Sequence, residues 1–600
     1  MPLRTARRLI ASAALCLPAA SPAQPLIEHV PPDAVAYAGW AGTASLTEPY
    51  AGSTLRGVAE LADPDRLTTA WRSVMPALQR AFDHPRLNAL LPHIQNLWLP
   101  RVHGEVAAYF TAPPPPIDPT HRPPPGLVLL WSPDSGDDRE ALLSGLKHLV
   151  ESAPSPAQLV VDGPVITLRI NLPAVDPASP PAPATGPETE PETLANTPRF
   201  QTAWAGLDRP GPLALYLDTA ALAPVLRERL LRGVEPVRSR QIEAILNALQ
   251  LDRLGAAVAT AGFDGRGWRT QAHLAAPAPR AGLGKLLEAP ALTADALSLP
   301  PRTATWTTTF SLDPGMLMDL ARDAAGAAGP ETADRFEQAL ASASGALGLD
   351  LEQQLIRGLG TAWTAYLDPE AVGDSPLGIT FESILRDPEG VDRGLRALQL
   401  LGNVAWSRRL ADKPYQLLIH TQDYGPHTLH TLGVPLAAPT WAIVDGRLIA
   451  GLYPQSVLAA IQRRETPGSI QNRDPFAALV ERIGTRRLTA LTWTDLPRTA
   501  SQNYPNLVAL ERAVTGSASA VSGRPMPPAL PPLGQLRPYL EPADAIAWID
   551  DDGWYFDGRT PFPAAELLGP GTALARGIEW GPPLPQIKDL LRELRKQLDQ

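Results

Sequence analysis

The sequence predicts an α+β protein of two related halves, each a mainly antiparallel sheet with helices packed on one face. Three observations carry that expectation. Six blocks of sequence recur in one order at a nearly constant offset. The recurring unit mixes hairpin signals with helices and lacks the regular strand-helix-strand beat of a parallel sheet. Its strands also alternate: in "LALYLD", Leu213, Leu215 and Leu217 point one way and Ala214, Tyr216 and Asp218 the other.

Taken in order, "VPPDAVAYAGWAG" from Val30 aligns with "LPPRTATWTTTFSLDP" from Leu299, each a Pro-Pro turn entering a strand. "GEVAAYFTA" from Gly104 matches "GTAWTAYLDP" from Gly360. "GLVLLWSPDSGDDREALLSGLKHLV" from Gly126 matches "GITFESILRDPEGVDRGLRALQLL" from Gly378: a strand, an acidic cap, then a helix. In these helices Leu142, Leu146 and Leu149, and Val391, Leu395 and Leu398, fall on one face. "LVVDGPVITLRI" from Leu159 answers "WAIVDGRLIAGL" from Trp441. Both read as hairpins in which Asp162-Gly163 and Asp445-Gly446 supply the positive φ angles of a two-residue turn. "GPLALYLDTAALAPVL" from Gly211 and "AAVATAGFDGRGWRTQAHL" from Ala256 find counterparts from Arg486 and Ala545.

The opening residues are set apart from the fold. Arg4, Arg7 and Arg8, an apolar run from Leu9 to Leu17, and Ser21-Pro22-Ala23 read as a signal peptide over residues 1–23. The run is shorter than the roughly 18 residues a membrane-spanning helix needs, and no transmembrane helix is expected elsewhere. The expected address is therefore periplasmic or secreted; lipid anchoring at Cys16 is the less favoured alternative, because Leu15 suits such a site poorly. Proline-rich tracts mark linkers at 112–125 and 174–198 and a loop at 516–534. The expected organisation is 24–173 and 199–296 as the two parts of the first half, 297–575 as the second half, and 576–600 as an amphipathic helix with Ile587, Leu590, Leu591, Leu594 and Leu598 on one stripe.

Cys16 is the single cysteine, so its loss with the signal excludes disulfides, thiolate metal sites and cysteine nucleophiles. A net charge of −10 argues against nucleic acid as a partner. The 68 prolines are about twice the usual share. Lysine occurs only at Lys147, Lys285, Lys413, Lys588 and Lys596, and the arginine excess reads as compositional bias.

The stretches "AIVDGRLIAGLYPQSVLAAIQ" and "DPFAALVERIGTRRLTALTWTDL", with the opening "VPPDAVAYAGWAG", resemble exported bacterial proteins of the domain-of-unknown-function family numbered three-three-five-two. That resemblance implies an envelope or secreted α+β protein of unestablished function. It supplies no catalytic residue, and the proline linkers here are longer than the family's pattern.

No G-x-S-x-G elbow, phosphate loop, H-E-x-x-H or dinucleotide fingerprint is present. Four weaker patterns remain. Ser144 and Lys147 have S-x-x-K spacing without a K-T-G strand. His420, His427 and His430 are the only metal candidates, although His427 and His430 lie an odd number apart, which on one regular strand sets them on opposite faces. Asp550, Asp551 and Asp552 lack the alternation of a calcium loop. Asp218, Asp313 and Asp495 end strands before helices and read as caps. The tryptophans, including Trp98 and Trp580, lie mostly on or beside strands and read as core packing and strand edges, in preference to a ligand-stacking row. The expectation is a non-enzymatic envelope scaffold or binding protein, with no cofactor, whose partner is an unidentified envelope or extracellular protein or ligand. The alternative is a hydrolase or metal-dependent enzyme with its site in the cleft between the halves.

Overall fold

The computed structural model describes residues 25–42, 47–61, 104–111, 126–133, 135–152, 157–170, 193–208, 211–231, 234–373, 376–411, 416–434, 437–464, 468–523, 526–528 and 530–569. The expected signal peptide with Cys16, the tract at 112–125, most of the expected 174–198 linker, Trp98, Trp580 and the helix expected at 576–600 lie outside these residues.

The described chain is α+β. Its strands are β1 (Ala34–Trp40), β2 (Glu105–Thr111), β3 (Gly126–Ser132), β4 (Ala157–Asp162), β5 (Val165–Ile170), β6 (Leu213–Asp218), β7 (Ala256–Asp264), β8 (Gly267–Ala275) and β9 (Trp306–Ser311). They continue with β10 (Ala362–Leu367), β11 (Ile379–Ile384), β12 (Ile419–Tyr424), β13 (His427–Leu432), β14 (Thr440–Val444), β15 (Arg447–Gly451), β16 (Arg487–Thr494), β17 (Ala543–Ile549) and β18 (Gly553–Thr560). All join one sheet of 18 strands. Followed across the sheet, the strands run β4, β5, β3, β2, β1, β6, β7, β8, β18, β17, β16, β9, β10, β11, β15, β14, β13, β12, and every pair is antiparallel.

Because successive side chains alternate, one face can be traced through the whole sheet. On this front face Tyr37, Tyr109, Val128, Ala214, Tyr216 and Val258 pack under the helix Pro198–Ala205, which inserts Phe200 and Ala203. Farther along, Tyr366, Leu491, Trp493 and Ile546 pack under the helix Asp474–Ile483 through Phe476, Leu479 and Ile483. Ala442, Val444 and Ile449 pack under the helix Pro454–Arg463. The back face is covered too: Ile166 and Leu168 lie against Leu146 of the helix Gly136–Ser152. Ile443 and Leu448 lie against Val391 and Leu395 of the helix Pro388–Arg409. Helices therefore sit on both faces, not one. The single-face expectation fails because a strand such as "GLVLLWS" is apolar at neighbouring positions and can bury both sides. Leu215, on the back face, is half exposed, and the Ala214 and Tyr216 side forms the core.

Helix starts follow their caps. The side chains of Thr197, Asp313 and Asp387 accept hydrogen bonds from the N–H groups of Phe200, Gly315 and Gly390, each ahead of a first-turn proline. Such a cap contributes about 1 kcal/mol. Asp218 accepts one from Ala221 at 3.0 Å. Asp495 departs from the expected capping role: its carboxylate makes no cap bond and pairs with Arg473 at 2.5 Å.

Two linker assignments change. The long helix Leu496–Ser522 takes in Gly516 to Ser522, the start of the expected 516–534 loop. Leu194, at the end of the 174–198 tract, is fully buried against the first core, because one apolar residue anchors where the average composition reads as solvated. The helix Ala294–Leu297 straddles the expected boundary at 296/297, and the carbonyl of Ala296 accepts from the Thr364 hydroxyl.

The two hairpin turns differ by one residue. Between β14 and β15 the loop is Asp445-Gly446, with φ of 46° and 75°. Between β4 and β5, Asp162 pairs with Val165, so the loop is Gly163-Pro164, with only Gly163 at positive φ (52°). Proline cannot take a positive φ, which moves the glycine to the first turn position. Gly446→Ala and Gly163→Ala are each expected to lower unfolding free energy by about 1–2 kcal/mol. Asp445→Asn, which tolerates the left-handed conformation, is expected to stay within about 0.5 kcal/mol of wild type. Urea denaturation checks both, and a large loss for Asp445→Asn would assign that carboxylate more than a corner.

Candidate functional site

The most polar stretch of the front face lies at the centre of the sheet, where β8 and β18 pair over eight positions from Trp268–Thr560 to Ala275–Gly553. β8 sends Arg269, Gln271 and His273 forward, β18 sends Tyr555, Asp557 and Arg559, and β17 sends Asp544 and Trp548. The helix Pro198–Ala205 flanks this seam on one side and the helix Asp474–Ile483 on the other.

Arg269 grips Asp557 with two hydrogen bonds of 2.8 and 2.9 Å and reaches Asp208 with a third of 2.8 Å. Gln271 donates to the same Asp208 oxygen at 3.3 Å. The Arg269 hydrogen bond draws the Asp208 carboxyl below its ordinary value, against its partial burial, with Gln271 and the charge of Arg486 acting in the same direction. Arg486 comes from the opposite flank and lies 4.7 Å above the Trp548 ring. Trp548 stacks on Tyr555 at 5.2 Å, and Tyr555 on His273 at 4.4 Å. The result is a four-member ladder across three strands, closed by a guanidinium.

His273 donates from Nδ1 to the carbonyl of Ala203 at 2.7 Å, tying the ladder to the first flanking helix. Its Nε2 is buried without a hydrogen-bond partner. Burial raises the Tyr555 hydroxyl to about 12, helped by Asp550 and Asp552. Asp544 pairs with Arg482 of the second flanking helix, and burial still raises its carboxyl above the ordinary range. The seam thus offers guanidinium-bound carboxylates and aromatic edges.

A second polar cluster is closed. Under the helix Pro454–Arg463, Tyr366 donates to Glu382 at 2.5 Å, and Asp368 pairs with Arg463. Burial raises the Glu382 carboxyl, outweighing the Tyr366 hydrogen bond and the charges of Arg447 and Arg464.

The residues singled out in the sequence do not converge. His427 and His430 share the unbulged strand β13 and so point to opposite faces; His420 sits across from Thr431, on the His427 side. His430 is buried, donates from Nδ1 to Gln399 at 2.7 Å and stacks on Trp441 at 5.3 Å. Burial lowers its pKa, and the nearby Arg396 adds to that. Among the described residues no group of three acidic, histidine or cysteine side chains is placed to hold a metal ion. Ser144 and Lys147 stand exposed on their helix. Asp550 folds its carboxylate onto the N–H groups of Asp552 and Gly553, which makes the acidic triplet a turn. Trp40, Trp268 and Trp493 are buried, and none of the described tryptophans is exposed.

Sequence reasoning missed Arg269, Asp557, Asp208, Tyr366 and Glu382. A usable signal existed: a charged residue in the middle of an otherwise apolar or small-residue strand, as in "WYFDGR" and "ITFESI".

Arg269→Met is expected to lower stability by about 3–5 kcal/mol, because the buried Asp557 is left unpaired. Arg269→Met with Asp557→Leu should restore much of that loss in chemical denaturation. Glu382 is raised in the folded state, so its stabilisation is complete below the ordinary glutamate range and is lost as pH rises through the raised value. Glu382→Gln should therefore flatten the dependence of the unfolding midpoint on pH and exceed wild type at neutral pH; an unchanged profile would remove the proton from Glu382.

No family model, no curated protein and no solved structure matches the chain.

Proposed function

We propose that the protein is an exported, non-enzymatic scaffold or binding protein, made of two copies of one α+β module joined through β8 and β18, and a member of the exported family that its motifs resemble. The strand order supports the duplication. Outward from β8 the sheet runs β7, β6, β1, β2, β3, β5, β4; outward from β18 it runs β17, β16, β9, β10, β11, β15, β14. Each strand in the second series lies at the place of its sequence counterpart in the first.

Smaller contacts repeat as well. Leu194 donates to the carbonyl of Val30 at 2.8 Å, as Ile470 does to that of Pro300 at 3.0 Å. Asp218 pairs with Arg199 and Asp495 with Arg473, each tying the end of a strand to the start of a front-face helix. The signal-peptide pattern of Arg4, Arg7 and Arg8, the apolar run and Ser21-Pro22-Ala23 supports export.

One observation carries the binding reading: the seam carboxylates Asp208, Asp557 and Asp544 are all held by arginine, which suits recognition better than proton transfer. The enzymatic alternative would use the same seam as its cleft. Affinity capture from the cell envelope with the mature chain, beside an Asp208→Ala/Arg486→Ala variant of the seam rim, separates the two. The expected result is a protein partner recovered by wild type and reduced in the variant. A small molecule retained in native mass spectrometry, and converted on incubation, would overturn the scaffold reading.

A further inference from the structure

The hairpin β12–β13 closes one end of the sheet and is joined to it narrowly. Among the described residues β13 pairs with β14 at two positions, His430 with Trp441 and Thr431 with Thr440. The Thr431 and Thr440 hydroxyls share a 3.0 Å hydrogen bond, and Leu429 adds one buried side chain on the front face. β12 is exposed at every position after Ile419. Its anchors are amide side chains of two helices. In the helix Pro388–Arg409, Asn403 accepts from the N–H of Ile419 at 2.7 Å and donates to its carbonyl at 3.0 Å. Gln399 donates to the same carbonyl at 3.1 Å and to the Thr421 hydroxyl at 2.9 Å. In the helix Pro454–Arg463, Gln462 donates to the Tyr424 hydroxyl at 2.8 Å. An element so held at the end of a sheet opens at less cost than the body of the fold. His430 sits at the junction itself, flat against Trp441 on the back face, whereas His420 and His427 lie on the other face.

We propose that the hairpin β12–β13 is an acid-released flap and that His430 is its sensor. The closed arrangement is built for a neutral ring. Gln399 spends both amide hydrogens on Ile419 and Thr421, so its oxygen is what remains for His430, and the ring keeps its proton on Nδ1 to donate at 2.7 Å. A second proton would place a charge on a ring that is 5% exposed. No carboxylate among the described residues pairs with that ring. On the facing helix Asp392 is bound to Arg396 at 2.8 Å, and on β12 Asp423, two places from Thr421 on the same side, accepts from the Thr428 hydroxyl at 3.0 Å. Trp441 and Thr440 of β14 bring no charge. Burial pushes the His430 pKa below the ordinary histidine value, Arg396 adds to that, and Asp392 opposes it. Once the hairpin opens, the ring meets water and titrates at its ordinary value. The closed form is therefore fully stabilised above the ordinary histidine range and loses stability as pH falls through that range towards the lowered value. Release leaves β14 without a partner strand at Thr440 and Trp441, an unpaired edge. Neither the seam nor the duplication enters this device.

The test is hydrogen–deuterium exchange of the full chain at about pH 7.5 and about pH 5, the interval over which histidine titrates, with each protection factor referred to the intrinsic rate at its pH. Wild type should lose protection in the β12–β13 amides at the acid pH while β7 and β8 keep theirs. His430→Phe keeps a ring against Trp441 but cannot take a proton, and should remove the pH dependence. His420→Gln/His427→Gln, on the opposite face, should retain it. Exchange of the imidazole C2 hydrogen, read at His430 by mass spectrometry, gives the pKa of that ring in wild type and decides the matter even if His430→Phe does not fold; a value below the ordinary one is expected. An ordinary or raised value, hairpin protection indifferent to pH, an acid response that survives His430→Phe, or an equal loss in β7 and β8 would each overturn the proposal.

Discussion

The pairing of β8 with β18 fixes which side of every other strand faces which helices. Side chains alternate along a strand, so a slip of one residue at the centre would reverse the faces of one flank relative to the other. The seam chemistry resists that slip. Arg269 stands directly across from Arg559, an unfavourable pair if left alone, but Arg269 is bound diagonally to Asp557 and Arg559 lies 3.6 Å from Asp264. Any other register would break the bidentate bond and leave the nearly buried Asp557 uncompensated, and would pull His273 off Tyr555. The seam therefore contributes specificity beyond what its area alone would.

Across the sheet, one device attaches helices to strands: a buried or half-buried aspartate paired with arginine. Asp218 with Arg199, Asp495 with Arg473, Asp544 with Arg482 and Asp368 with Arg463 each join a strand to a front-face helix or its first residue. All four use arginine. A planar guanidinium keeps its charge when buried and offers several donors at fixed angles, so it suits a closed site that an ammonium would leave partly unsatisfied. The scarcity of lysine, which composition alone suggests is bias, has this structural correlate. Arg473 serves twice, since it also lies 4.6 Å over the ring of the buried Trp493.

Much of this was legible in the residues. Alternation and turn chemistry located many of the strands, and the antiparallel α+β class followed from them. What stayed hidden depends on partners distant in sequence. Arg269 and Asp557 are separated by 288 positions, and neither neighbourhood carries a signal of the other. The turn at Asp162 was misplaced by one residue because Pro164 overrode the Asp-Gly preference. Asp495 looks like Asp313 to a reader of caps, yet a guanidinium within reach changes what its carboxylate binds. Helices on both faces were missed because alternation reports how a strand is divided, not how many layers cover it.

On the two-module reading, the departures from symmetry matter more than the symmetry. Among the described residues the hairpin β12–β13 has no counterpart beyond β4, and the helix Pro388–Arg409 spans 22 residues where Gly136–Ser152 spans 17. The two differences are coupled: Gln399 and Asn403, in the later turns of the longer helix, are the residues that hold the added hairpin by its first strand. With its amides committed inward, the helix turns Leu398, Leu400, Leu401 and Val404 outward among its exposed arginines. An extension that served stability alone would bury leucine and expose amide. This one commits Gln399 and Asn403 to the first strand of the hairpin β12–β13 and leaves Leu400 at 66% exposure, so holding that hairpin decides which side of the helix faces the sheet.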